Sequence, residues 1–345
     1  MKFFRKYIII DTKTFLYSRN FLSKGVFMAS IKDVAARANV SVGTASRALR
    51  NVGYVSSEVR RNVMKAAEEL NYVANYSAQQ IRMANSVKTI GIIISESAND
   101  YFFKVIAQLK EKLPPHAYRI LVLYSSGEAQ EEEENFRYLI SNRVSSILFV
   151  PVSGNQQHVV SLAQKYNINV IQLFVNAYGG LNTVINDDEQ GSELAAKHLV
   201  DCGCKNLLLL DAPYKNFDPK TVSPNRQTGF LAHGGTDIRT TIVNYDPYAE
   251  DAMMRLKQIL RQTEPDGVIA GIGKTGQYIA TLIHAGEAAF RFVTFDDNSW
   301  FECYGISAIR QGTARLVENI CEILLHPERE RQCSRVPEEL IIRGT

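Results

Sequence analysis

The sequence predicts a small all-helical unit followed by a larger α/β region built on parallel sheet. Residues 30–50 carry apolar side chains at helical spacing in two short segments separated by a break. From Lys88 onward, β-rich apolar runs alternate with segments of helical period, which is typical of a parallel sheet covered by helices. The length of 345 residues is also sufficient for more than one domain.

The helical unit begins with two short helices joined by a tight turn. In the first helix, apolar residues recur at i, i+3, i+4 and i+7 from Ile31, the spacing of one buried face. Ser30 and Asp33 form a capping box at its start, and Ser41 is a good N-cap for the second helix. The second helix should bury Ala45, Ala48 and Leu49 and expose Val42, Gly43, Thr44, Ser46, Arg47 and Arg50.

Small residues at a helix crossing and an exposed polar, basic face are typical of a helix-turn-helix, whose second helix enters the major groove of DNA. An ordinary helical hairpin would show the same apolar pattern. Between Met28 and Asn85, however, eight lysines and arginines stand against four acidic residues, whereas the whole chain has a net charge of +3. Positive charge is therefore concentrated around these helices, which favours nucleic-acid binding.

Two further helical segments follow in the N-terminal part of the chain. A third helix starts at Ser56–Glu58 and ends near Tyr72, which completes a three-helix unit. Residues 75–82 could form two helical turns, but a helix this short is stable in water only against a partner. Residues 83–86 are interpreted as a linker.

Eight β-rich runs predict the sheet region. We assign strands to Thr89–Ser95, Arg119–Tyr124, Ser146–Pro151, Asn169–Phe174, Asn206–Asp211, Thr241–Tyr245, Gly267–Gly271 and Arg291–Phe295. Segments of helical period lie between most of them, including Tyr101–Leu113, Glu131–Ser141 and Glu189–Asp201. Periodicity alone does not distinguish an eight-unit barrel from two doubly wound lobes.

The chain end and the cysteines indicate a cytoplasmic protein. Residues 1–27 are expected to be a non-native extension, because Met28 stands directly before the helix-turn-helix. Their apolar run is too short for a signal peptide, and no later segment is long enough to span a membrane. The five cysteines are odd in number and scattered, which predicts neither a disulfide framework nor a metal site.

The sequence IKDVAARANVS at Ile31–Ser41, followed by TASR at Thr44–Arg47, carries a family resemblance. Further matching segments are Val55-Ser56, Glu68–Tyr72, Ser77–Ile81, Thr89–Ile94, Ala195–Leu199, Asn225–Phe230, Phe295–Asp297, Ile309–Gln311 and Glu339–Arg343. On these residues the chain resembles the LacI/GalR family of bacterial transcription regulators from Met28 to Thr345. The resemblance implies a DNA-binding head, a hinge helix and a core of two doubly wound parallel-sheet lobes, as in periplasmic sugar-binding proteins.

The resemblance also implies domain limits and a function. The head would span 28–74, the hinge and linker 75–87, and the ligand-binding and dimerisation core 88–345. The lobes would comprise about 88–185 with 307–323 and about 186–306 with 324–345, with crossings near Asn186, Ser307 and Leu324. Such a protein represses carbohydrate-metabolism genes, binds a palindromic operator as a homodimer and holds a sugar or sugar phosphate between its lobes. No cofactor or catalytic residue is implied.

The resemblance assigns DNA-binding roles to three sets of residues. Base reading falls to Val42, Gly43, Thr44 and Arg47, and contacts with the DNA backbone to Ser41, Ser46 and Arg50. The hinge residues are Asn75, Ala78, Ile81 and Arg82, of which Ile81 would be the apolar wedge in the minor groove. Arg47 suits guanine chemistry, whereas Gly43 departs from the family because it has no side chain to read with.

The resemblance places the ligand pocket between the lobes. Its residues would be Tyr101, Phe102, Phe174, Arg226, Tyr248 and Asp296. A guanidinium and a carboxylate facing one cavity suit hydroxyls or a phosphate. Tyr101 and Phe102 could instead be helix core, and Arg226 could be a surface ion pair. Phe174 stands where many family members have Asp, and Ile272 is also apolar. Both residues make the pocket less polar than that of a protein that binds free sugars. A further alternative is therefore left open, a DNA-bound scaffold without ligand control.

A competing interpretation rests on the GxGxxG formed by Gly271, Gly273 and Gly276. This fingerprint follows a predicted strand, and Asp296 lies twenty residues beyond Gly276, as in dinucleotide-binding units. It would make the protein a nicotinamide-dinucleotide-binding redox sensor or enzyme. The fingerprint comes late in the chain, however, and no HExxH or GxSxG accompanies it.

Overall fold

The computed structural model describes residues 29–72, 87–95, 100–114, 117–211, 225–232 and 237–344. The chain forms two compact units, Met1–Ala84 and Asn85–Thr345. The expected extension at residues 1–27 and the hinge residues Asn75, Ala78, Ile81 and Arg82 lie outside the described residues.

The first unit contains three described helices, α1 (Ile31–Arg37), α2 (Val42–Arg50) and α3 (Ser57–Glu69). The Ser30 hydroxyl accepts from the Asp33 N–H, and the Asp33 carboxylate accepts from the Ser30 N–H at 2.7 Å. The predicted capping box is therefore confirmed. Ser41 and Ser56 cap the other two helices with their side-chain oxygens, which satisfies N–H groups that a helix start leaves unpaired.

Small residues let these three helices approach closely. Their buried core consists of Val34, Ala35, Ala45, Ala48, Val63 and Ala66, each 3% exposed or less. Leu49 was predicted to be buried, but it is half-buried at the edge of this core. Asn39 in the turn after α1 and Asn51 at the end of α2 adopt φ of 54° and 55°, a left-handed conformation that Asn tolerates well.

The second unit is an α/β structure with two lobes. The first part of the chain forms β1 (Lys88–Ser95), α4 (Asp100–Lys112), β2 (Tyr118–Ser125), α5 (Ala129–Ser141), β3 (Ser146–Phe149), α6 (Gln157–Lys165), β4 (Asn169–Leu173) and β5 (Asn182–Asn186). The next part forms α7 (Asp188–Asp201), β6 (Asn206–Asp211), α8 (Asn225–Leu231), β7 (Arg239–Asn244), α9 (Ala252–Thr263), β8 (Gly267–Ala270), α10 (Gly273–His284), β9 (Arg291–Phe295), α11 (Ser299–Cys303) and β10 (Ser307–Gln311). The last part forms α12 (Thr313–Leu325), β11 (Cys333–Val336) and β12 (Glu338–Ile341).

Each lobe contains one six-stranded sheet. The first sheet has the order β11-β5-β4-β3-β1-β2 and all its pairings are parallel. The second has the order β12-β10-β9-β8-β6-β7, and only β12 runs antiparallel to its neighbour. The predicted helix-turn-helix head and two parallel-sheet lobes are confirmed, and the barrel alternative is wrong.

Two of the three expected lobe crossings lie later in the chain than predicted. The first follows Asn186, as expected. Ser307–Gln311 pairs with β9 in the second sheet, so the second crossing follows Gln311 rather than Ser307. The third follows Val336 rather than Leu324, because α12 packs on the core of the first lobe and β11 joins the first sheet beside β5.

The eight predicted strands correspond to β1–β4 and β6–β9. Sequence analysis did not mark β5, β10, β11 and β12, which are four or five residues long and include polar positions. Among the helices that the structure describes, none has the length and apolar character needed to cross a membrane.

Candidate nucleic-acid interface and ligand pocket

The first turn of α2 presents a rigid surface with little side-chain bulk. The Ser41 hydroxyl accepts from the Thr44 N–H at 3.1 Å and lies 2.9 Å from the Thr44 hydroxyl. Val42 is 44% exposed, and Gly43 is exposed as well. The turn is thus fixed by its own cap and remains open to a partner.

Arg47 and Arg50 extend this surface along the helix. The Nε of Arg47 donates to the Gly43 carbonyl at 3.3 Å, and the Nε of Arg50 donates to the Ser46 carbonyl at 3.0 Å. Arg47 is exposed, whereas Arg50 is half-buried. All seven residues assigned to base reading or to the DNA backbone therefore lie on α2 or at its N-cap.

Arg60 is a supporting residue that the sequence analysis missed. From α3 it donates to the Ala48 carbonyl at 3.2 Å and to the side-chain oxygen of Asn51. These acceptors lie at the C-terminal end of α2, where unpaired carbonyls favour a cation. Arg60 thereby fixes the direction of α2 relative to α3.

In the core unit, three aromatic rings meet at the end of β4. The Phe174 ring centroid lies 5.6 Å from that of Tyr101 and 5.4 Å from that of Phe102, the latter pair edge to face. Phe102 is 6% exposed and belongs to the core of the first lobe, so the core alternative describes it correctly. Its ring packs against Phe174 from the core side.

Tyr101 connects this aromatic group to polar residues at the lobe crossing. It is half-buried, and its hydroxyl donates to the Asn186 side chain at 3.2 Å. Burial raises the pKa of Tyr101, and the nearby charges of Glu338, Asp296 and Asp188 raise it further against the effect of Asn186. Tyr101 thus remains a neutral donor beside acidic groups.

Arg226 lies in a largely buried ion-pair cluster, and not in a surface ion pair as the alternative supposed. Its guanidinium nitrogens lie 3.2 Å from Asp188 and 3.9 Å from Asp211, and its side chain is only 13% exposed. The guanidinium carbon lies 4.5 Å from the Phe295 ring centroid, within cation–π range. Two carboxylates and an aromatic face therefore compensate the charge of Arg226.

Asp296 follows β9 in the left-handed conformation, with φ of 65°. It is 8% exposed, and it accepts from the Gly273 N–H at 2.9 Å and from the Gln311 side chain at 2.6 Å. Tyr248 is 59% exposed. Partial burial raises the pKa of Tyr248, and the charges of Asp296 and Asp246 raise it further.

The sequence analysis missed several polar residues of this cluster. These are Asp211 at the end of β6, Gln311 at the end of β10, and Glu338 at the start of β12. A signal was present for Asp211, because a carboxylate at the carboxyl end of a parallel strand commonly faces a ligand crevice. No group of three metal-ligating side chains occurs among the described residues.

The three glycines of the fingerprint serve packing. A Cβ on Gly271 would lie 2.8 Å from the Leu210 carbonyl oxygen, and one on Gly276 would lie 2.8 Å from the Thr294 Cβ. The Gly273 N–H at the start of α10, which would contact a dinucleotide phosphate, donates instead to Asp296. The dinucleotide-binding alternative is not supported.

Comparison with known proteins gives matches in both units. The family profile described as "Bacterial regulatory proteins, lacI family" matches residues 30–75, and "Periplasmic binding proteins and sugar binding domain of LacI family" matches residues 87–282. The HTH-type transcriptional repressor PurR of Vibrio parahaemolyticus is 28% identical, over 92% of this chain and 98% of the relative. The sucrose operon repressor of Pediococcus pentosaceus is 27% identical, over 69% of this chain and 72% of the relative.

A solved structure shows the same fold. The lac repressor dimer bound to operator and the anti-inducer ONPF superposes with a TM-score of 0.69 at 21% identity, covering 92% of this chain and 99% of that chain.

The packing role of the glycines predicts that Gly276→Ala destabilises the core. The added methyl group would press on Thr294 and Phe301, and overpacking of this kind costs about 1–3 kcal/mol. Alanine otherwise favours a helix, so a loss of stability is diagnostic. Thermal unfolding should show a lower Tm for Gly276→Ala and little change for the control Gly154→Ala, whose methyl group meets no atom within 4 Å. An unchanged or higher Tm for Gly276→Ala would contradict the packing role.

Proposed function

This chain belongs to the LacI family of bacterial regulatory proteins, and on that premise we propose that it is a repressor whose binding to operator DNA is controlled by a small metabolite. Its relatives are transcriptional repressors and not enzymes. Two heads of a homodimer would read the half-sites of a palindromic operator in the cytoplasm. The single observation that carries the proposal is the capped helix-turn-helix with the exposed face of α2.

The α2 surface supports specific roles in DNA recognition. Val42, Gly43 and Thr44 stand in the first turn of α2, the part of a recognition helix that meets base edges, and Arg47 lies about one turn further along. Ser41, Ser46 and Arg50 are suited to phosphate contacts at the edge of the groove. The short Val42 and Gly43 let the helix approach the bases closely. Base discrimination then depends mainly on Arg47, which is exposed and has a planar donor set for guanine.

We assign the hinge roles from the family alone. Asn75, Ala78, Ile81 and Arg82 would form a helix that folds on the operator, with Ile81 inserted into the minor groove. A segment of this length gains helical stability from a partner and not from its own propensity. Coupled folding at the hinge would link the head to the core.

Arg47→Ala should weaken binding to a selected operator by about 1–3 kcal/mol and relax preference at one base position per half-site. The operator would first be obtained by in vitro selection with the wild-type protein. Fluorescence anisotropy on single-base variants then measures the preference. The control Arg61→Ala removes an exposed positive charge on α3. It should lower the affinity for every single-base variant of the operator by the same factor. An even loss for Arg47→Ala as well would mark Arg47 as a phosphate contact.

The core supports an uncharged, hydroxyl-rich effector in preference to a phosphorylated one. Arg226 is the basic anchor that the family would offer to an anion, but Asp188 and Asp211 already balance it. The further carboxylate of Asp296 lies in the same cluster, and Tyr101 and Tyr248 add aromatic and hydroxyl surface near it. Sugar hydroxyls can both donate to these carboxylates and accept from the guanidinium, whereas a phosphate group would add negative charge beside the carboxylates.

Control would pass through the three crossings that join the lobes. A ligand that binds more tightly to one of two lobe orientations shifts the equilibrium between them toward that orientation. The lobe angle would then set the spacing of the two hinge segments in the dimer. Two sites acting on one two-state element constitute allosteric coupling.

A thermal-shift panel of matched pairs, each a sugar and its phosphate, tests the effector class. We expect the largest Tm increase from a non-phosphorylated sugar, and loss of that increase in Arg226→Lys, because lysine keeps the charge but lacks the planar fork. Operator binding without effector should stay near the wild-type value. The control Arg239→Ala changes an exposed arginine on β7 and should respond as the wild type does. A larger increase from a phosphorylated partner would contradict the proposed class.

A further inference from the structure

Three of the four residues proposed to read bases are exposed, namely Val42, Gly43 and Arg47. The fourth, Thr44, is half-buried, and its hydroxyl lies 2.9 Å from that of Ser41 within the helix cap. The Thr44 hydroxyl is therefore already engaged inside the head. The surface that the start of α2 offers to a groove consists of Val42 and Gly43.

Gly43 is not required to be glycine by the packing of the head. Among the residues that the structure describes, a Cβ on Gly43 would meet only the Ser41 hydroxyl oxygen, at 3.8 Å, which is ordinary van der Waals contact. Gly271 and Gly276, in contrast, have no room for a methyl group. Gly43 also lies within a regular helix, where alanine is favoured over glycine. The remaining use of a glycine at such a position is close approach of the backbone to a ligand.

Val42 provides an apolar group beside this open position. It is the first residue of α2, and it is 44% exposed. In the major groove, the base edges present hydrogen-bond donors, hydrogen-bond acceptors and one apolar group, the C5 methyl of thymine. A valine against a donor or acceptor would leave that group unpaired, which is unfavourable. Thymine is therefore the base that the Val42 side chain fits.

The local structure holds this surface in place. The Ser41 cap fixes the first turn of α2, and valine has few side-chain rotamers because it is β-branched. The Nε of Arg47 donates to the Gly43 carbonyl at 3.3 Å, so the guanidinium lies on the same side of α2 as Gly43. The recognition surface thus combines a hydrogen-bonding element with an apolar one.

We propose that Val42 reads the C5 methyl group of one thymine in each operator half-site, and that the missing side chain at Gly43 lets α2 come close enough for this contact. The inference rests on the proposed function, because it names a base that the recognition helix selects. Arg47 supplies the hydrogen bonds of base reading, and Val42 supplies a smaller apolar contribution.

The test uses an operator selected in vitro with the wild-type protein, in which each thymine is replaced in turn by deoxyuridine. Deoxyuridine pairs with adenine as thymine does and lacks only the C5 methyl group. Fluorescence anisotropy at fixed salt should show one position per half-site at which deoxyuridine weakens wild-type binding by about fourfold, the effect of one buried methyl group. At that position the replacement should have little effect on the affinity of Val42→Ala.

Val52→Ala is the matched control. It removes the same apolar group from another exposed valine of the head, which follows α2 and is 37% exposed. The ratio of its affinities for the thymine and deoxyuridine operators should equal that of the wild type. Non-specific DNA binding of Val42→Ala and Val52→Ala should also match the wild type, because neither substitution changes a charge.

Gly43→Leu tests the close approach separately. Leucine favours a helix more than glycine does, so the Tm of the full chain should not fall. The leucine side chain would fill the space between the α2 backbone and the base edges. Affinity for the selected operator should therefore fall by at least about tenfold, as overpacking does elsewhere. Non-specific binding, which depends on phosphate contacts, should stay near the wild-type value.

Equal sensitivity to deoxyuridine in wild type and Val42→Ala, no sensitivity at any thymine, or a selected half-site without thymine would overturn the contact. Loss of the sensitivity in Val52→Ala would assign the methyl group to the loop after α2 and overturn it too. Undiminished operator affinity of Gly43→Leu, or a fall of both its Tm and its affinity, would overturn the close approach. Failure to select any specific operator would contradict the proposed function itself, and this inference with it.

Discussion

The compensation of Arg226 is the interaction on which the core of this protein depends. A guanidinium that is only 13% exposed must be balanced, and the balancing carboxylates come from separate parts of the second lobe, Asp188 at the start of α7 and Asp211 at the end of β6. The Phe295 ring at the end of β9 completes its surroundings. The same cluster adjoins the first lobe crossing, since Asp188 directly follows Asn186 and Asp187, so the proposed ligand site and this crossing share residues.

Local features were predictable from sequence because their causes lie within a few residues. The caps at Ser30 and Ser41 and the apolar spacing of α1 and α2 are of this kind, as are the eight predicted strands. The lobe crossings were not predictable in this way. Ser307–Gln311 belongs to the second lobe because it pairs with β9, and its own sequence pattern does not show this. Gln190 and Glu338, which are hydrogen-bonded, are 148 positions apart in the chain, so no spacing rule could predict their contact.

The proposed ligand residues show how far a family resemblance can be carried. The resemblance gave Arg226 and Asp296, and both lie near the carboxylate of Asp188 in the structure. It also gave Phe102, which packs in the core and only supports Phe174. The glycine fingerprint illustrates the reverse case, since its letters matched a nucleotide-binding pattern while its backbone is occupied by Asp296. What a polar atom can bind depends on whether another group of the protein already hydrogen-bonds to it. Only a structure gives that information.

The central claim is that the α2 surface and the cleft are energetically coupled, and reciprocal binding tests it most directly. Isothermal calorimetry would measure the affinity for the best-binding sugar with and without saturating operator DNA, at fixed pH and salt. The account predicts that operator changes the affinity by at least about fivefold, and that the sugar changes operator affinity by the same factor. Equal sugar affinity with and without operator would contradict this coupling, because a ligand site whose affinity is independent of operator binding cannot control operator binding.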